Sequence, residues 1–422
     1  MSLFFQRLIY NTSLFIFKVG AWLAALFYTK ARLLIAGRKN LFQHIASDMQ
    51  AYNGAVAWFH CASLGEFEQG RPVMEAFKRD YPGTKILLTF FSPSGYEIRK
   101  EYQGADFIHY LPFDSATHAK RFIKLTRPKV VFFIKYEFWY HYLSQLQALG
   151  IPVFLVSAIF RKEQIFFKPY GHLYRTILGC FRHLFVQNQA SQELLKGIGF
   201  ESVSVSGDTR FDRVSAVSEQ ALRIPMVERF KATNPLMVIG SSWPQDMEVM
   251  IPFINRHVEM KFIVAPHEMD SAFFELMGRE IERKVVRYSQ VTDAISDAEV
   301  LLVDKIGLLS SLYRYGEYAF IGGAYGGGLH NILEAATFGL PVFFGHKNYQ
   351  KVREAVDLIS LGGAFPIKNT TEMEKVFELL ANNPKHYQDA VNQCKDYISE
   401  NVGATDAIMS FIQQDIYAGE SI

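Results

Sequence analysis

Residues 318–350 read YAFIGGAYGGGLHNILEAATFGLPVFFGHKNYQ, and they indicate the fold of the second half of the chain. An apolar run enters Gly323, a loop with Gly327 and Gly328 follows, a helix is predicted from about His330, and a second apolar run comes next. Apolar strands separated by helices are typical of a parallel sheet covered on both faces. Backbone that enters a helix N-terminus without side chains suits an anion, because free N–H groups and the helix dipole point at it. We therefore predict phosphate binding by these glycines, although the spacing matches neither common nucleotide fingerprint.

Polar side chains gather around the same loop, at His330, Asn331, Glu334 and Asn348. Glu334 lies one predicted helical turn after His330, so the two are expected on one face. A carboxylate in this place could accept two ribose hydroxyls while the helix N-terminus holds a phosphate. The alternative is a flexible turn in which Asn331 only caps the helix.

Short apolar runs alternate with helical patterns along the rest of the chain, in two series. The predicted strands are residues 55–61, 85–91, 106–112, 129–134, 152–157, 183–187 and 202–207, then 236–241, 261–266, 284–289, 299–304, 318–323 and 340–345. The strand signal lapses from about 208 to 234. We predict two doubly wound α/β domains, 40–220 and 221–422, that face a cleft, with the last helix free to return to the first domain.

The N-terminal residues 1–39 form a separate apolar segment. Between residues 8 and 29 the only charge is Lys18, and several Lys and Arg residues follow this run. A membrane span needs about 20 apolar residues, so the segment could cross a bilayer, lie in the interface or be a buried helix. Basic residues behind the run favour the cytoplasmic side and anionic lipids.

Composition narrows the class of protein. The 422 residues are 49% apolar and 20% charged, which is globular, and the net charge of +2 makes no case for nucleic-acid binding. Three scattered cysteines argue against a disulfide scaffold or structural zinc. No D-x-D sequence occurs, so the usual carboxylate pair for a metal-bound nucleotide diphosphate is missing, and no metal or cofactor is expected.

The stretch HCASLGEFEQG, residues 60–70, follows the first predicted strand. Ser63 and Glu66 fit a capping box, in which each side chain bonds a free backbone N–H of the helix start. Glu66 also lies where a strand ends and a helix begins, the place where open α/β sheets bind ligands. Gly65 leaves room for close approach of a substrate, so Ser63, Gly65 and Glu66 are candidate site residues in either reading.

Further candidates follow other predicted strands at the same strand-to-helix position. They are Ser94 and Gly95; Lys135 and Glu137; Asp208, Thr209 and Arg210; Ser241 and Ser242; and His267. Structural roles compete at each place: a helix-start residue at Glu137, a capped turn with a surface ion pair at Asp208–Arg210, and a structural imidazole at His267.

Several motifs together resemble the 3-deoxy-D-manno-oct-2-ulosonic acid (Kdo) transferases, in the right order from the N-terminal segment to about residue 350. They are WFHCASLGEFEQGRPV, LTFFSPSG, KYEFW, SGDTRFDR, GLLSSLYRYGEYAFIGG and GGGLHNILEAATFGLPVFFGHKNY. The resemblance implies a GT-B glycosyltransferase fold, a membrane-associated N-terminal segment, CMP-Kdo as donor and no metal requirement. It places the acceptor-binding domain first and the nucleotide-sugar-binding domain second.

The resemblance also assigns residues. The catalytic base of the family falls on Glu66 and its second acidic residue on Glu137. Its CMP-binding run falls on Gly328, His330, Asn331 and Glu334, and Asn348 matches the Asn after the next strand.

Three sites depart from the family pattern. Leu329 separates the glycines from His330, and Ser242-Trp243 stands where Thr-His is common. Pro266-His267-Glu268 lacks the Arg of the usual Pro-Arg-His, and Arg210 or Lys347 are candidates to replace that Arg.

The expected reaction is an inverting transfer of Kdo from CMP-Kdo to a hydroxyl of the lipid A precursor, in lipopolysaccharide core synthesis at the cytoplasmic face of the bacterial inner membrane. The expected partners are the donor, this acceptor and inner-membrane lipids. Three alternatives stay open: a GT-B enzyme that uses a UDP-sugar and a lipid acceptor, a UDP-sugar 2-epimerase, and a non-catalytic membrane-attached binding protein. The apolar N-terminal run argues against the epimerase.

Overall fold

The computed structural model describes residues 3–291 and 293–418, which form two compact units. Unit 1 runs to Arg213 and resumes at Val402, and unit 2 is Val214–Asn401. The predicted boundary near residue 220 lies inside unit 2, and the last helix belongs to unit 1.

Unit 1 is built on a seven-stranded parallel sheet in the order β3-β2-β1-β4-β5-β6-β7. Its strands are β1 Val56–Cys61, β2 Lys85–Phe90, β3 Phe107–Tyr110, β4 Val130–Ile134, β5 Val153–Ala158, β6 His183–Val186 and β7 Val203–Val205. Its helices are α1 Leu3–Ala24, α2 Thr29–Ala36, α3 Leu41–Gln50, α4 Leu64–Asp80, α5 Pro93–Arg99, α6 Ala116–Thr126, α7 Tyr140–Ala148, α8 His172–Leu178, α9 Gln189–Lys196 and, at the end of the chain, α19 Ala404–Ala418. Helix α10, Thr209–Glu219, leads from unit 1 into unit 2.

Unit 2 repeats the plan with a second seven-stranded parallel sheet, in the order β10-β11-β9-β8-β12-β13-β14. Its strands are β8 Leu236–Ser242, β9 Lys261–Pro266, β10 Val285–Arg287, β11 Val300–Leu302, β12 Tyr318–Ile321, β13 Val342–Gly345 and β14 Ala364–Ile367. Its helices are α11 Pro225–Lys231, α12 Pro244–Arg256, α13 Ser271–Glu280, α14 Leu309–Leu312, α15 Leu333–Ala336, α16 Arg353–Leu361, α17 Thr370–Ala381 and α18 Pro384–Asn401.

Burial explains why the central strands read as unbroken apolar runs. Every residue of β1 and β4 is buried, since helices cover both faces of the sheet. Side chains of α4 and α19, including Phe77 and Ile412, pack on one face. Side chains of α3, α6 and α7, including Phe122, pack on the other with Trp58 of β1.

Strand β14 was not predicted. It has four residues, includes Pro366 and lies at the edge of the sheet, beside β13. Proline lacks the N–H that a central strand needs and is confined to edges, so the strand carries only a weak sequence signal.

The N-terminal helix α1 packs on unit 1 through polar groups. The Tyr10 hydroxyl donates to Asp114 Oδ2 at 2.6 Å, and Gln6 Oε1 accepts the Leu173 N–H at 2.6 Å. Large apolar side chains of α1 are exposed instead, with Phe4 79% and Phe15 67% accessible. The possibility of a buried N-terminal helix is therefore wrong.

Among the described helices, none alone has the length and apolar character of a membrane span. Helices α1 and α2, which meet at a bend of 119°, reach that threshold only when they are taken together.

Candidate functional site

In each sheet the strand order reverses at one point, the topological switch point, and candidate residues lie beside it. In unit 1 the strand order reverses between β1 and β4, and in unit 2 between β8 and β12. Open α/β sheets bind ligands at this point, beyond the carboxyl ends of the strands. Glu66 follows β1 and Glu137 follows β4, so the two predicted carboxylates flank the switch point of unit 1.

Glu66 lies in the first turn of α4 and is half-buried. The Ser63 hydroxyl donates to its Oε2, and Ser63 makes no side-chain bond to the helix backbone. The predicted capping box is therefore wrong, because the hydroxyl bonds the carboxylate and not an N–H. A Cβ on the exposed Gly65 would meet only Ser63 Oγ, at 3.8 Å, so the approach to Glu66 is open on that side.

Glu137 is 7% exposed and is held by two rings. Trp139 Nε1 donates to its Oε2 at 2.6 Å, and His60 Nε2 lies 2.9 Å from the same oxygen. His60 is fully buried, and its Nδ1 lies 2.8 Å from Thr89 Oγ1. Trp139 also stacks on Phe91, with ring centroids 4.8 Å apart. Glu137 is therefore fixed as a hydrogen-bond acceptor by a network that begins in the core.

Cys61 and Tyr136 report the electrostatics of this site. Burial, followed by Glu66 and Glu137, raises the pKa of the Cys61 thiol well above its usual range. Burial also raises the pKa of Tyr136, on which Arg161 and Glu66 act as well. Both carboxylates thus act on one buried thiol.

The segment Asp208–Arg210 is more structural than predicted. Arg210 Nη2 donates to Asp208 Oδ2 at 2.8 Å, and Gln69 Nε2 donates to Oδ1 at 3.1 Å. Burial would raise the pKa of Asp208, but the bonds from Arg210 outweigh it and lower that pKa. Thr209 is fully buried and donates to the Gln69 carbonyl. The prediction that Thr209 reaches a ligand is wrong, and Arg210 is already engaged by Asp208.

Two other predicted residues of unit 1, Ser94 and Gly95, take structural positions. Ser92 is the N-cap of α5, and its hydroxyl lies 3.0 Å from Ser94 Oγ. A Cβ on the buried Gly95 would lie 2.2 Å from the Phe90 ring, so close packing accounts for that glycine. Lys135 has a left-handed backbone, φ 67°, directly after β4.

In unit 2, Trp243, His267 and His330 form an aromatic cluster after β8, β9 and β12. Trp243 Nε1 donates to His330 Nε2 at 2.9 Å, and the two rings are nearly coplanar, at 5°. The exposed His267 stacks on both, with centroids 4.7 Å from Trp243 and 4.2 Å from His330. Because an indole N–H only donates, the His330 proton resides on Nδ1. Burial, and then His267, lower the pKa of His330 to about 4, so the ring is neutral at pH 7.

The glycine loop of residues 322–328 is folded back on itself. Gly323 has φ 96°, and its carbonyl accepts the N–H groups of Gly326 and Gly328 at 3.0 Å. Asn348, also left-handed at φ 51°, donates from Nδ2 to the Gly326 carbonyl at 2.8 Å. Gly327 is exposed, and a Cβ there would meet no atom within 4 Å. Asn348 therefore supports the loop, and Gly327 has open space beside it.

The helix predicted from about His330 is much shorter. Helix α15 spans only Leu333–Ala336, so His330 lies outside it and the predicted shared helical face with Glu334 is wrong. Asn331 caps the turn, since its Oδ1 accepts the Leu333 N–H at 3.2 Å. Four residues give little macrodipole, because that effect sums over aligned peptides. An anion here would depend on individual N–H groups.

Glu334 is nevertheless held in a defined position. Ser310 Oγ donates to its Oε2 at 2.8 Å, and Asn331 Nδ2 donates to its Oε1 at 3.2 Å. Ser241 has φ 51° at the end of β8, whereas Ser242 is 1% exposed and donates to the Ala265 carbonyl. Ser242 is therefore structural.

Asp246 was not predicted and is fully buried beside this loop. Its Oδ2 accepts the N–H groups of Trp243 at 2.8 Å and Gly323 at 2.9 Å, while Oδ1 has no partner in the described chain. Burial raises the pKa of Asp246 to about 6, although the two N–H bonds oppose that shift. Asp246 thus joins the β8–α12 turn to the glycine loop, and burial of its carboxylate disfavours the charged form.

This burial predicts a pH dependence of stability. The folded pKa of Asp246, about 6, exceeds the ordinary 3.8, so between these values the folded state holds a proton that the unfolded state releases. Stability should therefore fall as pH rises from 4 to 6, by about 3 kcal/mol at most for this group. Asp246→Asn should lack this component. Denaturant unfolding of the wild type and of Asp246→Asn at several pH values, with hydrogen exchange in unit 2 as the readout, measures this difference. If the stability of both proteins changed with pH in the same way, Asp246 would not be the group responsible.

Within residues 3–291 and 293–418, no three His, Cys, Asp or Glu side chains are grouped so that they could hold a metal ion.

Comparison with known proteins shows which family the chain resembles. Residues 36–213 match the family model described as 3-deoxy-D-manno-octulosonic-acid transferase (kdotransferase). The chain is 29% identical to the 3-deoxy-D-manno-octulosonic acid transferase of Aquifex aeolicus over 334 residues, 77% of this chain and 86% of that protein. By both comparisons the chain is similar to the Kdo transferases.

Solved structures agree with the predicted GT-B fold of this chain. MurG of Acinetobacter baumannii superposes with a TM-score of 0.52 at 14% identity. The match covers 86% of this chain and 100% of the MurG chain. A UDP-GlcNAc 2-epimerase from Neisseria meningitidis superposes with a TM-score of 0.60 at 16% identity, covering 85% and 99%. At these identities the likeness concerns the fold alone, which is α/β with two parallel seven-stranded sheets.

Proposed function

We propose that this protein transfers Kdo from CMP-Kdo to a hydroxyl of the lipid A precursor, with inversion at the anomeric carbon. The observation that supports this most is the placement of Glu66 and Glu137 on either side of the switch point of unit 1. The two carboxylates have different surroundings, which suits two different roles.

Glu66 is the proposed base. It is half-buried, it follows the open position of Gly65, and Ser63 bonds only one of its oxygens in the described contacts. As the acceptor hydroxyl attacks the anomeric carbon, Glu66 takes its proton and CMP leaves with the bonding electrons. A positioned base of this kind contributes about 10²–10⁴-fold to a rate.

Glu137 is the proposed second acidic residue, and it acts as a fixed acceptor. Trp139 and His60 both contact Oε2 at hydrogen-bond distance, so the carboxylate cannot rotate freely. In this arrangement Glu137 orients a substrate hydroxyl or stabilises positive charge on the sugar.

Trp139→Phe tests that role. The substitution removes the N–H donor and leaves a ring that can still stack on Phe91. A hydrogen bond to a charged group contributes about 1.5–3 kcal/mol, so kcat should fall about tenfold while KM changes little. Steady-state transfer kinetics measure both. Unchanged kcat, with the thermal unfolding midpoint also unchanged, would show that the bond does not serve the reaction.

Unit 2 is the proposed donor site. The neutral His330 presents an Nδ1–H, and the Gly327 region has space for close approach of a phosphate. Glu334, which Ser310 and Asn331 hold in place, is the proposed acceptor for the ribose hydroxyls. Preorganised donors at the leaving phosphate would stabilise its charge in the transition state.

The exposed face of α1 supports a place on the cytoplasmic surface of the bacterial inner membrane. Phe15 is 67% and Trp22 60% accessible, and the helix is anchored to unit 1 through Tyr10. A contiguous apolar surface of this kind on a helix marks a membrane or protein contact, and the acceptor is itself an amphiphile.

The deciding experiment combines purified protein, CMP-Kdo and tetraacylated lipid A precursor. A product heavier than the precursor by one or more Kdo residues, with the anomeric configuration inverted by NMR, supports the proposal. Transfer only from a UDP-sugar, or interconversion of a UDP-sugar without any acceptor, would overturn it in favour of another GT-B transferase or an epimerase.

A further inference from the structure

A preformed apolar cavity lies in unit 1 between α1, α2 and the loop after β3. Its volume is about 580 Å³, which is within the range of ligand pockets. Phe15, Val19 and Trp22 of α1 line one side, and Ile35 and Ala36 of α2 line another.

Arg38 holds the walls of this cavity in place. Its guanidinium donates to the carbonyls of Leu34, Phe91 and Leu111 at 2.8–2.9 Å, which joins the end of α2 to the sheet edge. It also lies over the Phe113 ring at 4.5 Å, and Phe113 is a wall of the cavity. Burial lowers the pKa of Arg38 to about 10, so it remains charged at pH 7.

A second cavity, of about 490 Å³, lies next to the first and shares lining residues with it. Phe15, Lys18 and Phe113 line both. The second cavity is more polar, and it extends to Trp139, the residue that bonds Glu137. Trp139 thus places the second, polar chamber beside Glu137, one of the two proposed acidic residues, and the apolar chamber lies next to it.

Cations stand where the two chambers meet solvent. Lys18 and Lys39 are exposed and line the apolar cavity, and Lys18 borders both chambers. Exposed cations beside an apolar slot complement a molecule with an anionic head and a hydrocarbon chain. A neutral or purely apolar ligand would make no use of them.

We propose that the apolar cavity binds one acyl chain of the anionic, acylated acceptor, and that its sugar head occupies the polar chamber beside Trp139. The inference rests on the proposed function and names how the acceptor is recognised. The enzyme would then select the acylated substrate through this cavity, beyond simple attachment to the lipid surface.

Substitutions that fill the cavity test this from two helices. Val19→Trp and Ala36→Phe add rings from α1 and α2, and Leu149→Trp, at an exposed residue of unit 1 that lines neither cavity, is the matched control. With the acylated acceptor, KM should rise at least tenfold in the two cavity variants and stay unchanged in the control. With the fully deacylated disaccharide, all four proteins should have the same high KM. Equal effects on both acceptors, or no effect, would overturn the proposal.

Two binding measurements separate the possible failures. Calorimetry with dodecyl phosphate below its micelle concentration should show binding to the wild type and a loss of at least tenfold in Val19→Trp and Ala36→Phe. This arm needs no transfer activity, so it decides the cavity even if the proposed reaction is wrong. Flotation with phosphatidylglycerol vesicles should be unchanged in Val19→Trp, because Trp favours the interface. If Val19→Trp lost vesicle binding together with dodecyl phosphate binding, the apolar side chains of α1 would be assigned to membrane attachment alone.

Discussion

Glu66→Gln is expected to lower the transfer rate about 10²–10⁴-fold with the fold intact. Glutamine keeps the size of the side chain and can still accept the Ser63 hydroxyl, but it cannot take the proton of the attacking hydroxyl. The loss should appear in kcat, because the base acts only as the new bond forms. KM for CMP-Kdo should stay close to the wild-type value, since we place donor binding in unit 2.

Glu68→Gln is the matched control for this prediction. It lies on the same helix and makes ion pairs with Arg99, Arg71 and Arg213 at its partly exposed carboxylate. Such pairs contribute about 0–1 kcal/mol each, so activity should stay close to the wild-type level. Full activity of Glu66→Gln would remove the base assignment. Equal losses in both variants would point to damage of α4.

The sheets were predictable because burial dictates composition. Strands such as β1 and β4, covered on both faces, must be continuous apolar runs, and parallel strands need helices between them. The ends of those runs locate Glu66 and Glu137 without further information. The apolar runs do not show which strands are neighbours in the sheet. The switch points could therefore be located only from the strand order in the structure.

Local motifs were less reliable than strand ends. The Ser63–Glu66 spacing indicated a capping box, yet a hydroxyl beside a carboxylate has a better acceptor than the one the motif assumes. At His330 the helical pattern predicted a long helix, whereas the backbone follows the closed glycine loop until Leu333. In both places another local hydrogen bond replaced the one that the motif predicts.

The residues missed by sequence reasoning act through long-range contacts. His60 meets Glu137 across neighbouring strands, and Asp246 meets Gly323 from another turn. No spacing rule links such pairs, because the contacts exist only after the strands are ordered. Lys135 and Ser241 have left-handed backbones at strand ends, and Asn348 has one in the loop after β13. This conformation costs about 1–3 kcal/mol and is concentrated at functional sites. Non-glycine residues there leave no sequence signal for the strain.

Gly323→Ala is expected to abolish donor binding by disrupting the glycine loop. The backbone at Gly323 has φ 96°, and an added Cβ would lie 2.3 Å from the Gly328 carbonyl oxygen and 2.7 Å from the His330 ring. Neither contact can be relieved without moving the loop. The bonds that the Gly323 carbonyl accepts from Gly326 and Gly328, and the bond that the Gly323 N–H donates to Asp246, should therefore be lost together. We expect unit 2 to lose more than about 2 kcal/mol, as for other substitutions at incompatible backbone angles.

Gly327→Ala separates loop shape from ligand access, because its Cβ would meet no protein atom within 4 Å. This variant should fold with wild-type stability and bind CMP at least tenfold more weakly if the phosphate approaches the backbone there. Titration calorimetry with CMP and hydrogen exchange of the loop measure the two effects. Wild-type CMP affinity in Gly327→Ala would place the phosphate elsewhere. Wild-type stability and affinity in Gly323→Ala would show that the closed loop is not the binding conformation.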